Sequence, residues 1–460
     1  MIRNREDLAT TPARDLALAC VEAGVAAARP RTVVAASVSL ADETLTVAGE
    51  AYDLGDYESV VVLGGGKAAA GVAAELEALL GDRVDRGAVA VDDADSADAR
   101  DCNRIEVLEG DHPIPSERGV ASARRVLELA DDADEETLVL AAITGGGSAL
   151  LPAPAEGVSL ADLRATTADL LESGATIDEV NAVRKHLSAL KGGRLAARAA
   201  PATVVGVALS DVVGNDLGTI ASGPLSPDET TFADALDVLD RYDVDAPAAA
   251  RDRLRRGHRG EVAETPKPDD RAFERVAVHV LADGKTALDA AADVASERSY
   301  ASLILSSRIR GEAREAAKTH VAVAEESLAT GDPVEPPAVV LSGGETTVTV
   351  RGDGEGGPNL EFALSAALEL GVGEVVLASV DTDGRDGGTD VAGAIVDAGT
   401  VGGRIDSDGM SLSAGAARAA LADNDALSAL ADAGCPIRTG PTGTNVDDLR
   451  VLVVEAEHDG

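Results

Sequence analysis

Residues 137–154 read TLVLAAITGGGSALLPAP, an apolar stretch that breaks into three glycines and a serine. Val, Leu and Ala in unbroken succession, without polar alternation, suit a strand buried on both faces of a parallel sheet. Glycines at its carboxyl end let backbone N–H groups approach a bound anion with no Cβ in the way. A helix starting there would add the positive end of its dipole. The loop therefore reads as a holder of anionic oxygens. It is no P-loop, because Gly-Lys-Ser/Thr does not follow, and it lacks the last glycine of a hydrolase nucleophile elbow.

The same grammar recurs along the chain. SVVVLGGGKAAAG (59–71), ATVVGVALSDVVGND (202–216), PAVVLSGGETTVTV (337–350) and GEVVLASVDTDGRDGG (373–388) each pass from apolar strand into small or acidic residues. Helical stretches lie between them at 69–83, 119–132 and 313–331, the last ending at a glycine cap. The predicted fold class is α/β: two unlike α/β domains with an active-site cleft between them, a doubly wound, mostly parallel sheet in the first, and a smaller second domain. In such sheets ligands bind beyond the carboxyl ends of the strands, where these glycines and aspartates fall. The polar stretch 243–270 reads as a linker between an N-terminal Rossmann-like domain (1–242) and a C-terminal domain (271–460). No internal repeat of fixed period interrupts this pattern.

A formal charge of −41, spread along the chain in clusters such as DDADEE, repels nucleic acid and anionic membranes. Lysine is confined to positions 67, 185, 191, 267, 285 and 318. This composition resembles proteins of high-salt cytoplasms, where dense carboxylates hold water while salt screens their repulsion. The opening residues show no signal-peptide apolar region, so a cytoplasmic location is expected. Cys20, Cys102 and Cys435 lack metal-type spacing and read as reduced thiols.

Lys67 follows a glycine run at a helix start in a chain nearly emptied of lysine, which favours a phosphate-binding role over a merely solvated one. Ser148 could donate to a phosphate or cap a helix; as a covalent nucleophile it has no His/Asp pair placed by sequence to activate it. Glu345, in SGGE, could bind a hydroxyl or a metal, or merely cap a turn. Asp211 and Asp216 lie on one loop, and Asp381, Asp383, Asp386 and Asp390 on another; hard oxygen donors on short loops suit Mg²⁺ shared with substrate phosphates. Calcium in an EF-hand is excluded, because position twelve from Asp381 is Ala392 rather than Glu. The segment 181–196 gathers Arg184, Lys185, His186, Lys191 and Arg194, with Arg184 and Lys191 on one helical face able to draw anions. His112 and His186 are candidate general bases, or packed residues.

Taken together, VLGGGKAA, EGDHPIPSERG, ITGGGSALLPAP, VNAVRKHLSALKGGRLA, SDVVGND with IASGPLSPDETTF, LSSRIRGEAREAAK, LSGGETTVTVRGDGEGGPN, DTDGRDGGTDVAGAIVD, and LADNDALSAL with TGPTGTNVDDLRV form one set. In order and spacing, along nearly the whole chain, the set resembles the class II glycerate kinases with a MOFRL C-terminal domain. The resemblance implies phosphorylation of D-glycerate at its 2-hydroxyl, giving 2-phosphoglycerate and ADP, with ATP and Mg²⁺. The family's lysine after the first glycine run falls on Lys67. Its Gly-Gly-Arg-Asn-Gln-Glu motif does not carry over: Gly356-Gly357-Pro358-Asn359-Leu360-Glu361 stands there, and Arg308, Arg351 or Arg385 would have to supply the missing charge.

Joined to the residue reading, this gives an expected site. Lys67 and Asp211 are catalytic. Gly65, Gly66, Gly145, Gly146, Gly147, Ser148, Arg184, Lys191, Gly343, Gly344, Glu345 and Asn359 bind substrate or nucleotide, and Asp383 and Asp386 bind metal. The expected partners are small molecules, D-glycerate and ATP, with no nucleic acid and no membrane; a homodimer is left open as the assembly. Two other functions stay open, an NAD(P)H-dependent hydroxypyruvate reductase and a non-catalytic sugar-acid binding protein. GGGKAAAG supplies glycines without the full dinucleotide fingerprint, which counts against the reductase.

Overall fold

The computed structural model describes residues 1–371, 375–402 and 412–456. It divides into two compact units, one of Pro30–Leu281 and one of Met1–Arg29 with Ala282–Gly460. In the Pro30–Leu281 unit a small antiparallel sheet, β1 (Val38–Ala41), β2 (Thr44–Val47) and β3 (Glu50–Asp53), precedes the main one. The main sheet contains β4 (Ser59–Gly65), β5 (Arg86–Val91), β6 (Ile105–Glu109), β7 (Thr137–Thr144), β8 (Thr203–Leu209) and β9 (Val276–Ala282) in the order β6-β5-β4-β7-β8-β9. Every residue of β7 and β8 is buried, as their unbroken apolar runs predict.

The chain works outward from β4 to β6, then returns to lay β7 on the other side of β4, in parallel, with Gly65 opposite Ile143. The strand order thus reverses between β4 and β7. That reversal is the topological switch point where doubly wound sheets bind ligands, and both the Lys67 loop and the 145–148 loop leave the sheet there. One face of the sheet is closed by the helix Glu117–Asp131, whose Val126 and Leu129 pack on Val61, Leu63 and Val139. Its start is fixed by Ser116, whose Oγ accepts from the N–H of Gly119 at 3.3 Å.

The stretch 243–270, expected as a linker, lies inside this unit. It carries the helix Ala248–His258, whose Ala250 and Leu254 enter a core with Phe232 and Leu239. Arg253 holds the helix in place by donating from Nε to the carbonyl of His186 at 3.0 Å. Two small apolar positions four residues apart bury this helix although most of its residues are charged or small.

The other unit has a six-stranded sheet in the order β10-β12-β17-β14-β15-β16. Its strands are β10 (Ala301–Ser306), β12 (Ala338–Gly344), β14 (Val375–Asp381), β15 (Gly393–Asp397), β16 (Pro436–Ile437) and β17 (Asp448–Val454), while β11 (Gly311–Glu312) and β13 (Thr346–Thr347) pair by themselves. β17 runs antiparallel to both its neighbours, β12 and β14. The helix Pro12–Ala27 belongs to this unit rather than to an N-terminal domain: its Leu16, Leu18 and Val21 share a core with Leu288, Ala291 and Leu449, and Arg14 pairs with Asp397 at 2.7 Å. Among the described residues no helix is long and apolar enough to cross a membrane.

Candidate functional site

In the Pro30–Leu281 unit the two glycine loops at the switch point are stitched together. The N–H of Lys67 donates to the carbonyl of Gly145 at 2.8 Å, and the N–H of Ala68 to Thr144 Oγ1 at 3.1 Å. Gly66 has φ +139, and a Cβ there would stand 2.1 Å from Thr144 Oγ1, so only glycine permits the contact. Gly146, at φ +80, is flanked by side chains: a Cβ on it would lie 3.2 Å from Lys67 Cγ and 3.2 Å from His112 Cδ2. A Cβ on Gly145 would come within 2.2 Å of Asp211 Oδ2. Lys67, His112 and Asp211 therefore converge on one two-glycine turn.

Of the two roles expected of Ser148, the helix cap falls to another residue. Gly146 is the N-cap of the short helix Gly147–Leu150, and Ser148 lies within it. Ser222 Oγ donates to Asn181 Oδ1 at 3.0 Å, which uses its hydrogen; in the 2.7 Å contact between the two serine hydroxyls, Ser148 is then the donor. With its own hydrogen turned to Ser222, Ser148 offers a ligand lone pairs, and so suits a substrate hydroxyl rather than a phosphate oxygen. Ser222 reaches this position through a left-handed turn, Ala221 at φ 50 and Ser222 at φ 62. Such conformations cost about 1–3 kcal/mol each in non-glycine residues and cluster at functional sites. Asn181 and Ser222 were not singled out in the sequence; the signal available was the position of Asn181 three residues before Arg184 on one helix face.

The helix Ile177–His186 begins with a capping box, Thr176 with Glu179, and delivers Asn181, Arg184 and Lys185 to the site side. Beyond it the chain reverses, so that Arg194 Nη1 donates back to the carbonyl of Lys185 at 2.9 Å. The reversal carries Lys191, 5% exposed, to the glycine loop, where Nζ donates to the carbonyls of Ser148 at 2.8 Å and Leu151 at 3.5 Å. Burial, and then the charge of Arg184, push the Lys191 ammonium well below its ordinary pKa. Arg184 is depressed too, by burial alone, and makes no hydrogen bond or ion pair among the described residues. Lys185 instead pairs with the buried Asp228 at 3.3 Å. His186 is no candidate base: it is fully buried, with Nδ1 on the carbonyl of Ala182 at 2.6 Å and Nε2 on Glu264 at 3.1 Å.

The candidates in the other unit fall at the ends of β12, β14 and β17. Gly343 accepts from the N–H of Ile309 at 3.0 Å, and a Cβ on Gly344 would stand 2.5 Å from that nitrogen, so these glycines admit a crossing backbone. Glu345 is exposed beside them. Asp383 lies on the loop after β14, where its Oδ1 accepts from the N–H of Arg385 at 2.8 Å.

Asp386, expected as a metal ligand, has a structural part in this unit. The residue is 1% exposed, Oδ1 accepts from the N–H of Asn359 at 2.9 Å, and Oδ2 from that of Leu360 at 2.7 Å, which caps the helix Pro358–Glu369. Burial pushes its carboxyl up to about 7 against the pull of those donors. Asn359 is committed as well: Nδ2 donates to Asp448 at 2.6 Å, and Oδ1 accepts from Ser379 at 2.6 Å. It is a strut, not a free ligand. Pro358 occupies the first position of the same helix, where a missing N–H costs nothing. The guanidinium groups of Arg308, Arg351 and Arg385 make no hydrogen bond or ion pair among the described residues.

Residues 16–255 match a family described only as a domain of unknown function, DUF4147, and residues 338–448 match the MOFRL family. The chain is 38% identical over 447 residues to the glycerate 2-kinase of Pyrococcus horikoshii, covering 96% of this chain and 98% of that one. It is 40% identical over 427 residues to a putative hydroxypyruvate reductase of Agrobacterium vitis, covering 92% and 93%. Among solved structures, the glycerate kinase of Thermotoga maritima matches with a TM-score of 0.80 at 36% identity, covering 95% of this chain and 98% of that one.

Proposed function

We propose that this chain, which belongs to the MOFRL-domain glycerate kinase family, transfers the γ-phosphoryl group of ATP to the 2-hydroxyl of D-glycerate, releasing 2-phosphoglycerate and ADP. The observation that carries the chemistry is the convergence of Lys67, His112 and Asp211 on Gly145–Gly146 at the switch point of the sheet. Phosphoryl transfer needs in-line placement and neutralised charge more than covalent help. Backbone N–H groups of the loop and the Lys67 ammonium supply the charge. Asp211 is assigned to receive the proton of the attacking hydroxyl, and Ser148 to accept a hydrogen bond from a substrate hydroxyl.

Mg²⁺ would screen the nucleotide phosphates. Among the described residues no group of three or more His, Cys, Asp or Glu side chains forms a metal cage. Mg²⁺ does not require one, since it keeps waters and phosphate oxygens and takes only one or two carboxylates from the protein. Asp383 keeps this role in the proposal, and Asp386, spent on a helix cap, leaves it. The charge of −41 supports a cytoplasm rich in salt as the working environment.

The test is product identification from ATP and D-glycerate across a KCl series, coupled to enolase, which accepts 2-phosphoglycerate directly and the 3-isomer only after a mutase. Product without mutase, at a rate that climbs into molar KCl, is expected. No phosphorylated product at any salt, with nicotinamide oxidised by hydroxypyruvate instead, would overturn the kinase reading; full activity in dilute buffer would overturn the salt reading alone.

A further inference from the structure

Arg184 and Lys191 have no carboxylate partner among the described residues of a chain with 81 acidic and 40 basic residues. Some buried or partly buried cations have carboxylates, Arg14 with Asp397, Arg314 with Glu361, and Lys185, next to Arg184 in sequence, with Asp228, whereas Arg194 and Arg253 donate to backbone carbonyls. Arg184 has no partner among the described residues, and there Lys191 donates to two backbone carbonyls rather than to a carboxylate. A buried lysine and a half-buried arginine with no carboxylate partner are costly unless an anion joins them.

We infer that Arg184, steadied by Lys191, is the seat for the carboxylate of the substrate. The inference rests on the kinase reading and deepens it by assigning which group of the substrate lies where. Lys191 is held at Ser148 and Leu151, and the stem of Lys67 lies against Gly146, so the two lysine side chains meet opposite ends of one short turn. In a 2-hydroxy acid the carboxylate is bonded to the carbon that bears the reacting hydroxyl, and the group received there must lie as close to it as the ends of such a turn. Arg184 has the planar fork that meets a carboxylate with two parallel hydrogen bonds, whereas Lys67 offers the point charge suited to a phosphoryl group. Lys191 is a positioning residue: by tying 148 and 151 to the reversal after the helix Ile177–His186, it fixes the distance between the seat and the reacting group.

The experiment is calorimetric, on the full chain without turnover. D-glycerate, its neutral amide, an ATP analogue that cannot be hydrolysed, and inorganic phosphate are each titrated into wild type, Arg184→Met and Arg184→Lys. Loss of a charge-assisted pair predicts D-glycerate binding weaker by about 10- to 100-fold in Arg184→Met. Binding of the amide and of the nucleotide analogue should stay within about twofold, because neither uses the fork. Arg184→Lys keeps charge without the fork and should fall between; it also answers for a Met variant that fails to fold. Unchanged D-glycerate binding in both variants would overturn the seat. Weakening of the nucleotide analogue instead of D-glycerate would give the guanidinium to a phosphate and overturn the carboxylate assignment. Wild type that binds no D-glycerate would sink the kinase reading separately, and phosphate binding dependent on Arg184 would then still reveal an anion seat.

Discussion

Two strand-end clusters that look alike in sequence are put to opposite uses. At the switch point between β4 and β7, glycine loops gather Lys67, Asp211 and His112, and Arg184 stays unpaired among the described residues. At the ends of β12, β17 and β14, Asp386, Asn359 and Asp448 bind one another, the N-terminus of the helix Pro358–Glu369, and Arg450. Polar capacity consumed inside a unit stabilises it; capacity left over, as at Arg184, invites a ligand. The second cluster is not perfectly satisfied, since Arg450 Nε and Nη1 are buried without a hydrogen-bond partner, but its guanidinium lies over the Phe362 ring at 4.7 Å.

If this contrast is right, the two clusters should fail in different ways. Lys67→Ala should lower kcat by about two to three orders of magnitude, the usual cost of removing one donor of transition-state charge, with denaturation unchanged. Near-normal turnover of the folded variant would take Lys67 out of the mechanism and break the comparison at its active side. Asp386→Ala should do the reverse. It strips the acceptor from two backbone N–H groups and Asn359 Nδ2, all buried, and should cost about 2–3 kcal/mol in urea unfolding. Turnover per folded molecule should stay within about twofold, as it depends on charge placed elsewhere. A large fall in kcat with normal stability would return Asp386 to the metal site.

The strand runs and the glycine loops after them were legible, because burial on both faces forces unbroken apolar sequence and close backbone approach forces glycine. What was not legible depends on residues far apart in the chain. Asn181 and Ser148 meet through Ser222, 41 and 74 residues away from it, and only after a left-handed turn that no local pattern announces. Asp386 read as a ligand because acidic loops and ligand loops share a composition; its burial follows from the insertion of β17, which brings Asp448 against Asn359. The helix Pro12–Ala27 shows an apolar face but nothing that says which sheet it covers. The charged stretch 248–258 hid a helix that docks through Ala250, Leu254 and Gly257, with Arg253 bonded to the carbonyl of His186.

His320 gives the mildest test, and it separates the clusters by pH. Its ring is buried, with Nδ1 on the carbonyl of Ala316 at 2.8 Å and Nε2 on Ser342 Oγ at 2.7 Å; the Phe362 ring meets it edge-on, and Arg450 is the charge it feels. Burial first, with Arg450 adding to it, pushes its pKa down from 6.5 to about 4. A group depressed in the folded state stays neutral there while the unfolded chain takes up a proton, so its contribution is full above 6.5 and is lost as pH falls toward about 4. Between pH 7 and about pH 5.5 this amounts to about 1–1.5 kcal/mol. His320→Gln keeps hydrogen-bonding capacity without a titrating group, so its urea unfolding should lose less stability over that interval than wild type does. Equal slopes would mean that the ring is not held neutral and that this cluster is wetter than a spent network allows. A shift in the pH profile of kcat, with stability slopes equal, would tie His320 to turnover and erase the distinction between the two strand-end clusters.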